Sequence, residues 1–265
     1  MSGVRVHVAP LSSGLDVAAN RSDVVQAVRR AADDGARLVI LPEYACAFDP
    51  RGTPPHAAEP LDGPFLGALL GVTEQTGLVV VAGTLLPGRD PERAVNAVVA
   101  VGSGTLLGVY RKVHLYDAFG HQESDVLDAG PADQEPLVVE VDGLQVGVMT
   151  CYDLRFPESA RRLVDAGATV VAVPAAWAAG ERKAEQWRVL LQARAIEDVA
   201  YALGSVQRGP GVTGDALAVD PWGAVLGAGS GPAPVAVDLD PEVVSGARER
   251  NPSLQNRRYT VVPRT

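Results

Sequence analysis

The stretch VGVMTCYDLRFPE, from Val146 to Glu158, joins an apolar run to a predicted helix through a cysteine. The apolar run ends at Thr150, Cys151 follows it directly, and Pro157 stands at the expected helix start, a position that proline favours. A thiol between a strand and a helix is held at the edge of a sheet, where a nucleophile meets its substrate. The stretch therefore predicts an α/β fold with Cys151 as its nucleophile.

Two further apolar runs end in residues that complement a thiol. The run at 38–41 leads through Pro42 to Glu43, and the run at 106–111 leads to Lys112. We expect a carboxylate, an ammonium and a thiol that each follow a strand to converge at one edge of a sheet. Together they are the groups needed for acyl transfer through a thioester.

Other mechanisms of acyl transfer lack most of their residues in this sequence. It has no Gly-x-Ser-x-Gly elbow and no His-Glu-x-x-His motif, which argues against a Ser-His-Asp or a zinc hydrolase. A Cys-His pair stays open, with His114 or His121 as its histidine. A purely structural Cys151 is the other alternative, because free cysteines are often buried and inert.

Five segments, spread in order along almost the whole chain, resemble the nitrilase superfamily of carbon–nitrogen hydrolases, which carry a Glu-Lys-Cys triad. The segments are LPEY (41–44), YRKVHLYD (110–117), TCYDLRFPE (150–158), QARAIE (192–197) and DPWG (220–223). The resemblance implies an α-β-β-α sandwich, in which two mixed sheets pack face to face with helices outside.

The chain reads as a single carbon–nitrogen hydrolase domain over 1–265, with a C-terminal arm at about 250–265. Strand and helix patterns alternate, and no linker or internal repeat divides them. Apolar spacing predicts an early helix from Ser22, as its N-cap, to Ala32.

The resemblance also implies a role for each residue of the site. Glu43 is the general base, and Lys112 stabilises the oxyanion and the thiolate of Cys151. The backbone N–H of Tyr152 contacts the same substrate oxygen. Glu123 corresponds to a second glutamate, which family members carry in a similar loop after the lysine.

Three further residues are candidates for binding the substrate. Tyr44 and Trp177 each follow a predicted strand and are expected to line the pocket. Arg155, four residues after the nucleophile, either binds a substrate carboxylate or pairs with Asp153 or Glu158.

The residues that follow the nucleophile indicate the reaction. The segment at 152–156 resembles the ω-amidase and deaminated-glutathione amidase branch, whereas true nitrilases tend to have Trp-Glu after the cysteine. We expect hydrolysis of a small linear amide with a carboxylate at its far end, of the α-ketoglutaramate or deaminated-glutathione type, releasing ammonia and an acid. The alternatives are an N-carbamoyl amidohydrolase, a nitrilase and a catalytically silent binding protein. The mechanism needs no metal and no organic cofactor.

Composition excludes some partners and compartments. The net charge of −9 argues against nucleic acid as a partner. The two cysteines, Cys46 and Cys151, do not suggest a disulfide framework, and we assign Cys46 to packing. With neither a signal sequence nor a membrane-spanning run, we expect a cytoplasmic protein.

The resemblance and a basic tail predict a homodimer or a larger homo-oligomer. The arginines of the tail are Arg248, Arg250, Arg257, Arg258 and Arg264.

Overall fold

The computed structural model describes residues 3–264 of the chain. Its strands are β1 (Val4–Val8), β2 (Leu38–Ile40), β3 (Val79–Pro87), β4 (Ala94–Gly102), β5 (Thr105–Arg111), β6 (Asp117–Ala118), β7 (His121–Gln122), β8 (Val138–Val141), β9 (Leu144–Val148), β10 (Val170–Ala175), β11 (Tyr201–Val206), β12 (Ala216–Val219), β13 (Val225–Gly229) and β14 (Val235–Leu239). Its helices are α1 (Val17–Asp33), α2 (Pro64–Thr76), α3 (Pro157–Asp165), α4 (Lys183–Asp198) and α5 (Pro241–Arg250).

Twelve of these strands form two six-stranded mixed sheets. The first has the order β14-β1-β2-β3-β4-β5, and the second has the order β13-β12-β11-β10-β9-β8. The central strands β1, β2 and β3 are parallel, as are β9, β10 and β11, and the outer strands pair antiparallel. The strands β6 and β7 form a separate two-stranded hairpin.

The two sheets pack face to face, and helices cover their outer faces. Side chains such as Val6 and Ile40 of the first sheet share one core with Val148 and Ala172 of the second. The helices α1 and α2 pack on the outside of the first sheet, and α3 and α4 pack on the outside of the second. The predicted α-β-β-α sandwich is confirmed. Among residues 3–264 no helix combines the length and the apolar character that crossing a membrane requires.

The first helix differs from its prediction at the N-terminus. The side chain of Asp16, rather than Ser22, is the N-cap, because its carboxylate accepts hydrogen bonds of 3.0 Å from the backbone of Ala18 and Ala19. The helix therefore begins at Val17, and Ser22 lies within it. The apolar spacing marked the helix from Val24 to Ala31 and missed its first turns, where Val17 packs against the core and Asn20 is buried.

The chain direction in the sheets brings four loops to one edge. The strands β2, β9 and β10 end just before Glu43, Cys151 and Trp177, and β5 ends immediately before Lys112. Ligand sites of α/β sheets lie at such carboxyl ends of strands.

Candidate active site

Cys151 lies on a sharp corner between β9 and α3. It begins a 3₁₀ turn that runs to Arg155, and its φ of 47° lies in the left-handed region that side chains other than glycine rarely adopt. Such a conformation costs on the order of 1–3 kcal/mol and persists only where the surroundings enforce it. The side chain is 8% exposed and lines a cavity.

Asp153 holds this corner in place. Its buried carboxylate accepts hydrogen bonds from the hydroxyl of Tyr110 at 2.8 Å and from the backbone of Thr150 at 3.1 Å, and it lies 2.8 Å from Nδ1 of His114. The expected alternative in which Asp153 or Glu158 pairs with Arg155 is wrong. The Asp153 carboxylate is already engaged, and the Arg155 guanidinium donates instead to Gln186 Oε1 at 2.7 Å.

Glu43 is 1% exposed, and its carboxylate is fixed by three donors. Oε1 accepts from Asn96 Nδ2 at 2.7 Å and from Lys112 Nζ at 3.0 Å, and Oε2 accepts from the backbone of Ala176 at 2.8 Å. Because these donors come from different strands and loops, the carboxylate is held between the two sheets.

Lys112 is also 1% exposed and lies between two carboxylates. Its Nζ donates to Glu43 and, at 2.8 Å, to Glu123 Oε2. Burial alone would lower the pKa of Lys112, but the carboxylates of Glu123 and Glu43 outweigh it and hold that pKa well above its usual value. An ammonium has three donors, so the two carboxylates leave one N–H for a further acceptor.

Glu123 holds the lysine together with Glu43. Its carboxylate also accepts from the hydroxyl of Tyr44 and from the backbone of Tyr116, each at 2.8 Å. Tyr44 is 5% exposed and has a left-handed φ of 57°. Glu43, Lys112, Glu123 and Tyr44 thus form one connected network.

The environment of Cys151 favours the thiol over the thiolate. Burial and the Glu43 carboxylate raise its pKa well above the usual value, while the nearby Lys112 ammonium partly offsets them. A base must therefore remove the proton before the sulfur reacts, because the thiolate is the nucleophilic form.

Cys151 borders two cavities. The larger, of about 340 Å³, is lined by Glu43, Tyr44, Phe48, Tyr116 and Glu123. The second is narrow and is lined by Tyr116, Tyr152, Arg155, Trp177 and Lys183. The candidate residues Tyr44, Tyr152, Arg155 and Trp177 therefore all lie around the thiol.

Sequence reasoning missed several residues around the thiol, including Tyr116 in the walls of both cavities and four others. Asn96 and Gln207 are fully buried, and Gln207 donates to the backbone oxygens of Glu43 and Tyr44 at 3.0 and 3.2 Å. Gly83 and Lys183 are the other two. Asn96 is the one polar side chain in the run AVNAVVAVG, and Gly83 interrupts an apolar strand, so both left a signal in the sequence.

The sandwich belongs to an amidase, an enzyme that cleaves carbon–nitrogen bonds, as comparison with known proteins shows. The family model for carbon–nitrogen hydrolases matches residues 6–249. The chain belongs to this family, within the nitrilase superfamily.

Curated relatives cover nearly the whole chain. A hydrolase of Mycobacterium tuberculosis (Rv0480c) is 37% identical, over 96% of this chain and 95% of the relative. The deaminated glutathione amidase of Escherichia coli O157:H7 is 37% identical, over 87% and 88% of the two chains. The omega-amidase NIT2 of Xenopus tropicalis is 32% identical, over 98% and 95%.

Solved structures share the fold. An amidase from Nesterenkonia sp. is 28% identical with a TM-score of 0.80, covering 97% of this chain and 94% of that one. Nit3 of Saccharomyces cerevisiae, at 24% identity, has a TM-score of 0.82 over 97% of each chain.

Proposed function

We propose that this protein hydrolyses a small linear ω-amide through a thioester on Cys151, releasing ammonia and a carboxylic acid. The observation that carries the proposal is the buried network in which Lys112 bridges Glu43 and Glu123 directly beside the thiol. This network supplies a base, a cationic donor and a nucleophile at the wall of one cavity.

In the first step Glu43 accepts the proton of Cys151, and the sulfur attacks the amide carbon. The carbonyl electron pair moves onto oxygen, which the free N–H of Lys112 and the backbone N–H of Tyr152 stabilise. Glu43 then gives its proton to the amide nitrogen, the C–N bond breaks, and ammonia leaves a thioester behind.

In the second step Glu43 takes a proton from water, and the hydroxide attacks the thioester carbon. The C–S bond breaks, the acid leaves, and the proton held by Glu43 returns to the sulfur. Glu123 is a positioning residue in this scheme, because its bonds to Lys112 and to Tyr44 keep the ammonium aimed at the oxyanion.

Arg155 is the proposed partner of a carboxylate at the far end of the substrate. It lines the narrow cavity beside Cys151, and its guanidinium is bonded to the neutral amide of Gln186 rather than to an acid. An Arg–carboxylate pair would orient the amide carbon toward the sulfur.

The relatives support this substrate class. Those covering most of this chain include proteins named omega-amidase and deaminated glutathione amidase. A variant of the Nesterenkonia amidase with a cysteine replaced by alanine was solved with butyramide, a small linear amide.

Ammonia release from a panel of ω-amide acids, N-carbamoyl amino acids and nitriles tests the proposal. We expect the highest kcat/KM with the ω-amide acids. Cys151→Ala and Cys151→Ser should abolish turnover while circular dichroism stays unchanged, and Cys46→Ala serves as the control thiol. Near-normal turnover by Cys151→Ala would refute the mechanism, and a preference for N-carbamoyl compounds would favour the alternative.

The proposal extends to a cytoplasmic homodimer. Cys46 and Cys151 are free thiols, which a reducing compartment preserves. Two arginines of the basic tail have partners within the same chain: Arg257 pairs with Asp165, and Arg248 donates to backbone carbonyls. The stronger support for a dimer is an apolar patch, which consists of the exposed side chains Val189, Ile196 and Trp222.

A further inference from the structure

Two cations adjoin Cys151 without a carboxylate partner. Arg155 and Lys183 both line the narrow cavity beside the thiol. Within residues 3–264 neither of them forms an ion pair with an acidic side chain. Their hydrogen-bond partners are neutral: Arg155 donates to Gln186, and Lys183 Nζ donates to the hydroxyl of Tyr116 at 3.2 Å. Two unneutralised like charges at one cavity form a site for an anion.

In this structure one aromatic ring lies against both cations. The centroid of the Phe119 ring is 3.6 Å from Lys183 Nζ and 5.8 Å from Arg155 Cζ. The negative face of a ring attracts cations, but more weakly than a carboxylate does when it accepts hydrogen bonds from them. Nε of Arg155 is buried and lacks a hydrogen-bond partner, so it has a donor available for a ligand.

This arrangement is energetically unfavourable for the charged form of Lys183. Burial and the neighbouring Arg155 guanidinium lower the pKa of Lys183, which means that the protein destabilises its charged form. Lys183 is 8% exposed, although a lysine with no anionic partner is normally found in solvent. A bound anion would offset both costs.

The position of Glu43 tells which half of the substrate lies beside the cations. Glu43 lines the larger cavity and is absent from the wall of the narrow one. In the proposed mechanism Glu43 protonates the leaving nitrogen, so the leaving group lies in the larger cavity. The acyl chain then extends from Cys151 into the narrow cavity, toward Arg155 and Lys183.

We propose that Lys183 is a second substrate-binding residue, which together with Arg155 binds a carboxylate on the acyl half of the substrate. This inference rests on the proposed function for the assignment of the two cavities. It implies that the acid released is a dicarboxylate and that the anion stays bound while the thioester is hydrolysed.

Binding of such a group displaces Phe119. The narrow cavity has a volume of about 20 Å³, which suits a water molecule and is too small for an acyl chain. Phe119 is 68% exposed and has a left-handed φ of 54°, followed by Gly120 at 83°, in the tight turn between β6 and β7. The ring lies largely exposed at the tip of a two-residue hairpin turn, and an outward swing of this ring leaves both cations to the carboxylate.

A purely structural lysine predicts a different result from a substrate-binding one. If Lys183 only anchored the hairpin through Phe119, its loss would impair every amide substrate alike. If it binds the carboxylate, its loss acts on substrates that carry this group. The comparison therefore needs a substrate pair that differs only in that charge.

The kinetic test compares glutaramate, the monoamide of a five-carbon dicarboxylic acid, with its methyl ester. The measured quantity is the ratio of kcat/KM for the acid to kcat/KM for the ester, from ammonia release. We expect Lys183→Met, which keeps the length of the side chain, to lower this ratio by about ten- to a hundredfold, the usual scale for a hydrogen bond to a charged group. Lys183→Arg should restore most of it.

Arg182→Met is the matched control, because Arg182 is the adjacent cation and pairs with Glu185 at the exposed surface. It should leave the ratio as in the wild type. An unchanged ratio in Lys183→Met, or an equal fall in Arg182→Met, would overturn the inference.

A binding measurement separates this inference from the proposed function. Calorimetry of glutaramate with the Cys151→Ala protein needs no turnover, and adding Lys183→Met should raise Kd by about tenfold or more. An unchanged Kd overturns the role of Lys183 even if the enzyme is an amidase. Absence of ammonia release from every ω-amide overturns the proposed function, whatever the value of Kd.

Discussion

A Cβ atom on Gly83 would lie 2.4 Å from the Cα of Glu43 and 2.7 Å from the carbonyl oxygen of Pro42. The strand β3 therefore approaches the segment that carries Glu43 more closely than any residue with a side chain allows. Backbone hydrogen bonds fix both sides of this contact, from Gly83 to Pro42 at 3.1 Å and from Ala45 to Gly83 at 3.0 Å. The position of the Glu43 carboxylate is thus set by a residue that has no side chain.

Gly83→Ala should displace Glu43 and lower kcat. The added methyl group meets backbone rather than a flexible side chain, so we expect a loss of about 1–3 kcal/mol in stability. A shift of about 1 Å in a catalytic group lowers the rate by about a hundredfold. Thermal unfolding and ω-amide turnover measure the two effects. Gly67→Ala is the control, since Gly67 lies in α2 with open space around it, and wild-type kcat in both variants would contradict the argument.

Lys112→Met should lower kcat by about a hundredfold or more, the usual scale for the loss of an oxyanion donor. It also leaves the carboxylates of Glu43 and Glu123 buried without their cation, so we expect a loss of about 3–5 kcal/mol in stability. Turnover is therefore measured at a temperature where circular dichroism shows the variant folded. Arg111→Met removes the adjacent, exposed cation and should retain activity. A defect in Lys112→Met that is confined to KM would make Lys112 a substrate-binding residue instead.

Alkylation of Cys151 by iodoacetamide should be slow at neutral pH and accelerate as the pH rises. Because burial and Glu43 raise its pKa, the reactive thiolate is the minor form, and its fraction grows about tenfold per pH unit below that pKa. Cys46, whose pKa is raised by burial to about 11, lines neither cavity beside the site and should react more slowly. Mass spectrometry of the two cysteine peptides between pH 7 and pH 8.5 measures both rates. A rate at Cys151 that does not change with pH would show that its thiolate already predominates.

The placement of the candidate residues at one edge was predictable, because each follows an apolar strand. Leu38–Ile40 and Leu144–Val148 are buried strands, and each pairs with a parallel neighbour. The residues just beyond them, Glu43 and Cys151, therefore reach the same edge of the sandwich. Periodicity identifies such strands, and the direction of parallel strands fixes where their ends lie.

The contacts of the supporting residues were not predictable, because they join segments far apart in the sequence. Asn96 reaches Glu43 from an antiparallel strand, and Gln207 reaches it from the second sheet, so neither contact follows from local pattern. Lys183 arrives through the irregular segment 176–182, whose path depends on turn geometry that the sequence does not specify. The apparent pairing of Arg155 with Asp153 failed for the same reason: Tyr110 and His114, from the end of β5 and the loop beyond it, engage that carboxylate first.

Sedimentation at micromolar concentration should give twice the chain mass of 27.6 kDa. Val189 and Ile196 are seven residues apart on α4, so they share one face of the helix, and they are 54% and 50% exposed. Trp222, 53% exposed, lies near them, because a Cβ atom on the next residue, Gly223, would lie 2.6 Å from Cδ1 of Ile196. Burying this apolar patch against the same patch of a second copy forms a two-fold interface. Ile196→Glu should therefore shift the mass to that of one chain, whereas Leu15→Glu, at an equally exposed apolar residue outside the patch, should not. A wild-type mass of 27.6 kDa would rule out the dimer. A dimeric Ile196→Glu protein would show that the interface lies elsewhere on the surface.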